Sequence, residues 1–584
     1  MQVTNVARPL GELSYCGFQT RKLKNPLLVY RSQELADRDG RELLDAYGWM
    51  IPGVADAQAC EAVEKRFYAE RYGGGGIGSH GGGVRCGTDF QLSIKGLGCN
   101  PLCGRNAPPE YAHGGMSLFE CVQEAIWGAV FDIALPFGAS KVLAIIGTDT
   151  PCWWVTSRWS DAELSSRYGS PPSLPRGMIV RDAPLRPAHF MRAPFHVPQD
   201  GRKDFATMDL ARVCQATDRL LGLMPSPSHI RTRSEDAFEG EAIERGLSEL
   251  AARLAVQSAA AKAKRLVHGN ITASNVCLDG KWIDYGSATA LPGWGAISGY
   301  GPFWEDRDLY AAIFDDLAHA ISKGLGKRFD RSYLCSMMQS VYSEAHMEEM
   351  HRRQLCLAGF PYSQTGKISA TPEGRRVARF IRDQLVDGYS RPMSAHPDEH
   401  CRLGGLQLGS KVDALLQSAF CRSVATTDCS ELASDVISLA KMTEKKVDHS
   451  SENLTMQAML LRARKCARPT PFLYRDAMVK ESERIVLAAA DVRDLGCQVN
   501  AMISSAIDEA SLLLSDADNS EFVGIYQDRG ELIGWFTDTG TMHEVVSFGA
   551  WGQFARGKEV VGASLDKVNR YWGKDLVGIC GGDQ

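Results

Sequence analysis

A chain of 584 residues is long for one hydrophobic core and predicts two lobes with an accessory region. Its net charge of −5, without any marked run of Lys and Arg, gives no electrostatic case for nucleic acid. Seventeen cysteines are too sparse for a disulfide scaffold, and the sequence shows neither a secretory leader nor an apolar run long enough to cross a bilayer, so a cytoplasmic protein without a membrane span is expected.

In chain order, residues 1–70 read as an N-terminal extension with a helical segment around Ala55 to Tyr68. Glycines then crowd the stretch from Tyr72 to Gly87. Glycine adopts positive φ and lets backbone N–H groups approach phosphate oxygens, which makes Gly74, Gly76 and Gly78 candidate phosphate contacts. A flexible connector has the same composition, so the next element matters more. Phe90, Leu92 and Ile94 alternate with Gln91, Ser93 and Lys95, the period of a strand with one apolar face, and Lys95 projects away from that face. Cys99 and Cys103 lie close together near Cys86, but no second Cys or His pair answers them at a zinc-like spacing.

Ser117 and Glu120 have capping-box spacing ahead of a helix whose face is marked by Leu118, Val122, Ala125 and Ala129. Glu120 is the candidate ion-pair partner of Lys95, as strand Lys and helix Glu are paired in kinases. The alternative leaves Glu120 to the cap and gives Lys95 to Glu124, one turn later. A strand is expected at Val142 to Ile146, a Pro/Ser-rich loop at Ser170 to Pro175, and a strand at Met178 to Val180 that delivers Arg181. Ile243, Leu247, Leu250 and Leu254 recur at helical spacing in an Ala-rich segment.

The most informative stretch follows, from Leu266 to Asn275 and from Trp282 to Gly286. It reads as a kinase-type catalytic loop, in which an Asn and an Asp supply hard oxygens to magnesium bound to nucleotide phosphates. Asn275 and Asp284 fit those roles. Val276 to Leu278, the turn Asp279-Gly280 and Trp282-Ile283 form a tight hairpin that brings both to one end. Where a kinase has its catalytic Asp, five residues before the metal-binding Asn, this chain has Asn270, which has no comparable basic lone pair. Pro292 to Trp304 is rich in Gly and aromatic residues, as an activation-type or acceptor-binding loop is, and an ordinary irregular loop has the same composition. Helical patterns run from Asp306 to Arg382, a linker is expected at Asp387 to Gly409, helices near Ser482 to Leu514, and a hairpin from Phe522 to Phe536.

Several blocks resemble, in colinear order over about the first half of the chain, the selenoprotein O family of protein adenylyltransferases. They are LKNPLLVYRSQELADRDG at Leu23 to Gly40, YGGGGIG at Tyr72 to Gly78, FQLSIKGLG with Asn100-Pro101, SLFECVQEA at Ser117 to Ala125, GMIVRDAP at Gly177 to Pro184, HGNITASN and IDYG. The resemblance implies an α+β, two-lobed protein-kinase-like fold. Its expected parts are the extension 1–70, an N-lobe at 71–175, a C-lobe at 176–440 and a mostly helical C-terminal region at 441–584. It also implies that Lys95 and Arg181 bind ATP phosphates, that Glu120 positions Lys95, and that Asn275 and Asp284 hold Mg2+, with Mn2+ as the alternative ion. ATP then lies inverted relative to kinases, so that AMP is transferred.

Two departures bear on mechanism. The family usually has Asp directly before the metal-binding Asn, where this chain has Ser274, and its longer Asp-Gly-Arg stretch is shortened here to Gly83-Val84-Arg85, leaving Arg85 as a further phosphate candidate. A hydroxyl acceptor needs a base, whereas a carboxylate is already ionised. Three readings follow: AMP transfer to a protein acceptor, adenylation of a peptide carboxylate in maturation of a modified peptide with a partner enzyme, and a nucleotide-binding pseudokinase scaffold.

Overall fold

The computed structural model describes residues 9–53, 57–107, 112–152, 174–225, 239–295, 307–325, 329–387, 430–443 and 469–516, with a few positions within 412–419 and 459–467 and four strands between 522 and 559. The linker expected at Asp387 to Gly409 and most of the Pro292 to Trp304 loop lie outside the described residues.

The fold is mixed α+β. Eight antiparallel strands form one sheet: β1 (Tyr15–Leu23), β2 (Leu27–Arg31), β3 (Trp49–Met50), β4 (Cys60–Glu70), β5 (Cys86–Thr88), β6 (Leu92–Lys95), β7 (Val142–Cys152) and β8 (Leu174–Asp182). Their spatial order is β2-β7-β8-β6-β5-β4-β1-β3, with helix α1 (Gly40–Tyr47) between β2 and β3 in the chain. The segment read as helical around Ala55 to Tyr68 is largely strand β4. Its Ala, Glu and Lys content favours a helix locally, but pairing with β1, where Phe18 faces Phe67, overrides that preference.

The two faces of the sheet carry different chemistry. Ile94, Ile146 and Val180 join Phe18 and Phe67 in one apolar cluster. On the other face Ile145 and Ile179 pack with helix α2 (Leu118–Ala134). Ser93 stands opposite Arg181 and Lys95 opposite Ile179, so the pleat sends Lys95 and Arg181 toward α2 together. Ser117 and Glu120 close the predicted capping box at the start of this helix.

The second half is helical. It comprises α3 (Asp204–Thr207), α4 (Asp209–Thr217), α5 (Glu239–Ala263), α6 (Arg307–Gly324), α7 (Arg331–Leu357), α8 (Tyr362–Ile368), α9 (Pro372–Asp387), α10 (Ser430–Thr443), α11 (Arg475–Ala488) and α12 (Val492–Leu514), with the two-stranded ladder β9 (Leu266–Val267) and β10 (Thr289–Ala290). Ile243, Leu247, Leu250 and Leu254 of α5 are buried, as their spacing predicts. The expected hairpin is β11 (Phe522–Asp528) with β12 (Glu531–Phe536), extended by β13 (Thr541–Val546) and β14 (Ala555–Glu559). No helix among the described residues is long and apolar enough to cross a membrane.

The stretch expected as a C-terminal accessory region contributes to the central core. Phe472, Tyr474, Met478, Val499 and Ile503 are buried in the cluster that contains α2. Polar contacts reinforce it: Asn500 Nδ2 donates to Val29 O at 3.0 Å, and Asp516 pairs with Lys264 at 2.8 Å and Arg353 at 2.6 Å. Burying this much apolar surface is the main favourable term in folding, so removing it leaves α2 exposed. A chain ending at Thr443 is expected to lose cooperative thermal unfolding and to aggregate on size-exclusion chromatography. A soluble truncated chain with a sharp transition would show that α11 and α12 are dispensable.

Candidate functional site

Lys95, at the end of β6, is 2 % exposed and sits between two carboxylates: Nζ lies 2.8 Å from Glu124 Oε1 and 2.5 Å from Asp284 Oδ1. Arg181 Nη1 approaches Glu124 Oε2 at 3.7 Å from the neighbouring strand. Glu124, not Glu120, is therefore the partner of Lys95, which corrects the first of the two sequence alternatives. Glu120 Oε2 is taken by the cap, accepting from Ser117 N at 2.8 Å, while its Oε1 lies 3.7 Å from Arg85 Nη1. Glu120 and Glu124 stand one turn apart on one helix face, so Arg85, Lys95 and Arg181 alternate with carboxylates along it.

The loop and hairpin form as their spacing predicts. Val276 bridges Trp282 in antiparallel fashion, Gly280 turns the chain at φ 93°, and Ile283 N donates to Asn275 O at 3.1 Å, so Asp284 follows directly beside Asn275. Asp284 has φ 71°, a left-handed conformation that costs energy in a non-glycine residue and persists only where its surroundings hold it. His268 is part of that hold. Its Nδ1 accepts from Asn270 N at 3.3 Å, which leaves Nε2 as the donor to Ile283 O at 3.0 Å. Phe131 of α2 packs against the rings of His268, Trp282 and Tyr285, joining the helix to the hairpin.

Asn275 Nδ2 donates to Asn270 O at 2.8 Å, which orients its amide and leaves Oδ1 near Ser274 Oγ at 3.4 Å. Ser274 Oγ also lies 2.9 Å from Thr272 Oγ1. Asn270 contributes its backbone, and among the described residues no contact places its side chain with the ionised groups. One participant escaped the sequence reading. Arg186, 4 % exposed, donates from Nη1 to Ser274 O at 2.6 Å and lies over the Tyr72 ring, bracing the loop from behind. An isolated Arg in a loop carries no periodicity that would have revealed it.

The glycine segment joins β4 to β5 and lies against this loop. Gly74, Gly76 and Gly78 all have positive φ, and a Cβ on Gly76 would strike Thr272 at 2.9 Å. Gly74 donates its N–H to Arg192 O at 3.0 Å, so its N–H is not available to a phosphate, which corrects that assignment. Asn100 Nδ2 ties the far end of the segment through Gly83 O at 2.6 Å and Cys86 O at 2.9 Å. Next to it, a hydrogen bond with Cys99 and the nearby His80 draw the Cys103 thiol down, against the effect of burial. Among the described residues no group of three His, Cys, Asp or Glu side chains is placed to hold a metal.

Charge decides the protonation of the central pair. Burial works to raise the Asp284 carboxyl, but Lys95, then Arg85 and Arg181, outweigh it and hold the group well below the ordinary carboxylate range. Glu124 is raised, first by burial and further by the Asp284 charge, against Lys95 and Arg181. Asp284 is thus held ionised, and a third of its side chain reaches solvent. Its carboxylate and Asn275 Oδ1 are two hard oxygens at one hairpin end, a donor set that fits Mg2+ completed by phosphate and water. No protein-family model matches this sequence, and no curated protein matches it.

Two outcomes follow. Glu120→Ala removes a cap and is expected to cost about 1 kcal/mol, whereas Glu124→Ala strands Lys95 and Arg181 and is expected to cost roughly 3 kcal/mol; denaturant midpoints check the order. Burial, offset in part by the Ile283 carbonyl and Asp284, lowers His268 from 6.5 to about 4. Protons then bind preferentially to the unfolded chain, so the stabilisation is complete above pH 6.5 and is lost as pH falls toward 4. His268→Gln is expected to remove about 3 kcal/mol of that acid loss, read as a flatter stability profile between pH 7 and pH 4 than that of the unaltered chain.

Proposed function

We propose that the protein is an ATP-dependent adenylyltransferase that moves AMP from Mg-ATP to a protein or peptide acceptor. The observation that carries this reading is Lys95 held between Glu124 and Asp284 while the kinase base position holds Asn270. The order of parts supports it: a glycine turn between β4 and β5, a lysine strand, a glutamate helix, two further strands, then a polar loop and an Asp at a hairpin end. That is the order of a two-lobed kinase-like fold. Arg181 adds to this, because among the described residues its buried Nε and Nη1 have no hydrogen-bond acceptor, Glu124 Oε2 lying 3.7 Å from Nη1, and buried donors of this kind call for one. Phosphate oxygens meet that need.

In this reading Lys95 and Arg181 neutralise the triphosphate, and the acceptor oxygen attacks the α-phosphorus. The bond from the α-phosphorus to its bridging oxygen breaks, and pyrophosphate leaves with the electron pair. Mg2+, when bound by Asn275 and Asp284, offsets the developing charge on the phosphates. Catalysis then rests on positioning and electrostatics rather than on a protein base.

The surroundings of Ser274 favour a carboxylate acceptor as the second form of the same reaction. Its hydroxyl is engaged by Thr272 and its carbonyl by Arg186, and neither Ser274 nor Asn270 supplies a basic group to a hydroxyl nucleophile. A carboxylate needs no deprotonation.

Incubation with Mg2+ and ATP labelled at the α- or γ-phosphate tests the proposal. Label from the α-phosphate is expected on the acceptor, and Lys95→Ala and Asp284→Ala are expected to lower transfer by roughly a hundredfold or more with far-ultraviolet circular dichroism unchanged. Transfer of γ-label alone would establish kinase chemistry instead, and ATP binding without transfer would establish a scaffold.

A further inference from the structure

A single stretch, residues 185–193, bonds to both halves of the candidate site. Toward the Asn275 loop, Ala188 N donates to Ala273 O at 3.1 Å, Leu185 O accepts from Leu278 N at 2.8 Å, and Arg186 reaches Ser274 O. Toward the glycine segment, Gly73 N donates to Ala188 O at 2.9 Å and Gly74 N to Arg192 O at 3.0 Å. A Cβ on Gly73 would lie 2.0 Å from Arg192 O, so the two backbones run in contact. The stretch therefore fixes how the glycine turn stands relative to the Asn275 loop.

The stretch is itself held by an ion pair on α4. Arg212, 0 % exposed, donates from Nη1 to His189 O at 2.7 Å and from Nη2 to Met191 O, while its Nε pairs with Asp209 Oδ1 at 2.9 Å. Nη1 also lies 3.5 Å from Arg71 O, at the entry to the glycine segment. Asp209 Oδ2 accepts from Ala193 N at 3.0 Å and from Arg192 Nε at 3.3 Å. Two side chains one helical turn apart thus fix the backbone at His189, Met191 and Ala193. Burial works to raise the Asp209 carboxyl, but Arg212 and the Ala193 N–H outweigh it and keep the group ionised. The helix gives this pair a firm base, because Ala216 and the following Leu220 belong to the central apolar cluster.

Stability alone gives little reason for such a pair, since apolar side chains of similar volume commonly stabilise a core as well as a buried ion pair does. Its geometric content is greater. A planar guanidinium presents its donors in a fixed fork, so two carbonyls bound to it are set relative to each other and to the helix. The hydrogen bonds of Arg212 run to Asp209 and to backbone carbonyls, so any effect on nucleotide passes through the two segments it holds.

We propose that Arg212, oriented by Asp209, is a positioning residue that sets the glycine turn against the Asn275 loop for Mg-ATP. Its effect on transfer rests on the adenylyltransferase reading, whereas its hold on the two backbone segments does not.

The test compares the full chain with Arg212→Lys, which keeps the charge and loses the fork, and with Asp209→Asn, which leaves Arg212 in place without its counter-ion. Leu439→Ala, a buried position in the separate apolar cluster of α9 and α10, is the destabilised control. Hydrogen exchange in peptides covering 72–78 and 186–193 is expected to quicken by roughly tenfold or more in both variants, as loss of a charge-assisted hydrogen bond implies. Exchange in strand β6 is expected to stay unchanged. The dissociation constant for Mg-ATP is expected to rise, and kcat for α-label transfer to fall, each by roughly tenfold. The Leu439→Ala control is expected to lower the melting temperature and to move none of these. Unaltered exchange in both variants overturns the proposal. So does a control that matches them, or faster exchange with unchanged ATP affinity and transfer, since either assigns Arg212 to stability alone. An unaltered chain that transfers no α-label overturns the transferase reading, while exchange and Mg-ATP affinity still decide the role of Arg212.

Discussion

Everything near the site depends on one buried cation. Lys95 belongs to the sheet, Glu124 to the helix packed on it and Asp284 to the hairpin of the helical half, so a single ammonium ties three elements that are far apart in the chain. Burying such a group costs several kcal/mol unless its partners are close and well oriented, which turns the Lys95 ion pairs into a positional constraint on all three elements. Arg181 and Arg85 extend the alternation of sign to either side. The arrangement holds Asp284 ionised and leaves part of its carboxylate open to solvent, a combination that suits a metal ligand.

Apolar packing sets the stage on which that cation acts. Phe131 carries α2 onto the rings of His268, Trp282 and Tyr285, while Tyr285 Oη donates to Trp282 O at 2.6 Å. These contacts over-determine the backbone around Asp284 and thereby tolerate its left-handed φ. A neutral His268 completes the support by joining the loop at Asn270 to the strand end at Ile283. The C-terminal helices close the opposite side of α2, so residues near the end of the described chain help to hold a site formed much earlier in it.

Much of this was legible because it is local. The alternation from Phe90 to Lys95 put Lys95 on the face opposite Ile94, and the sheet keeps it there. The Asp279-Gly280 turn and nine-residue spacing placed Asn275 beside Asp284. The choice between Glu120 and Glu124 was not local, because residues four apart share a helix face and only the register of α2 against β6 selects one. Arg186 was equally hidden, for it acts through a contact with a segment far away in sequence.

The sequence by itself determined the elements whose periods and caps are complete within a few residues: the strand bearing Lys95, the capped helix after Ser117 and the hairpin bearing Asp284. Tertiary structure decided what depended on a distant partner. It made Cys60–Glu70 a strand through pairing with β1, gave Lys95 to Glu124, consumed the Gly74 N–H on Arg192 O and drew the C-terminal helices into the core. The reason is that hydrogen bonds, ion pairs and burial are satisfied by whichever group the fold brings within reach, and a local pattern does not specify that group.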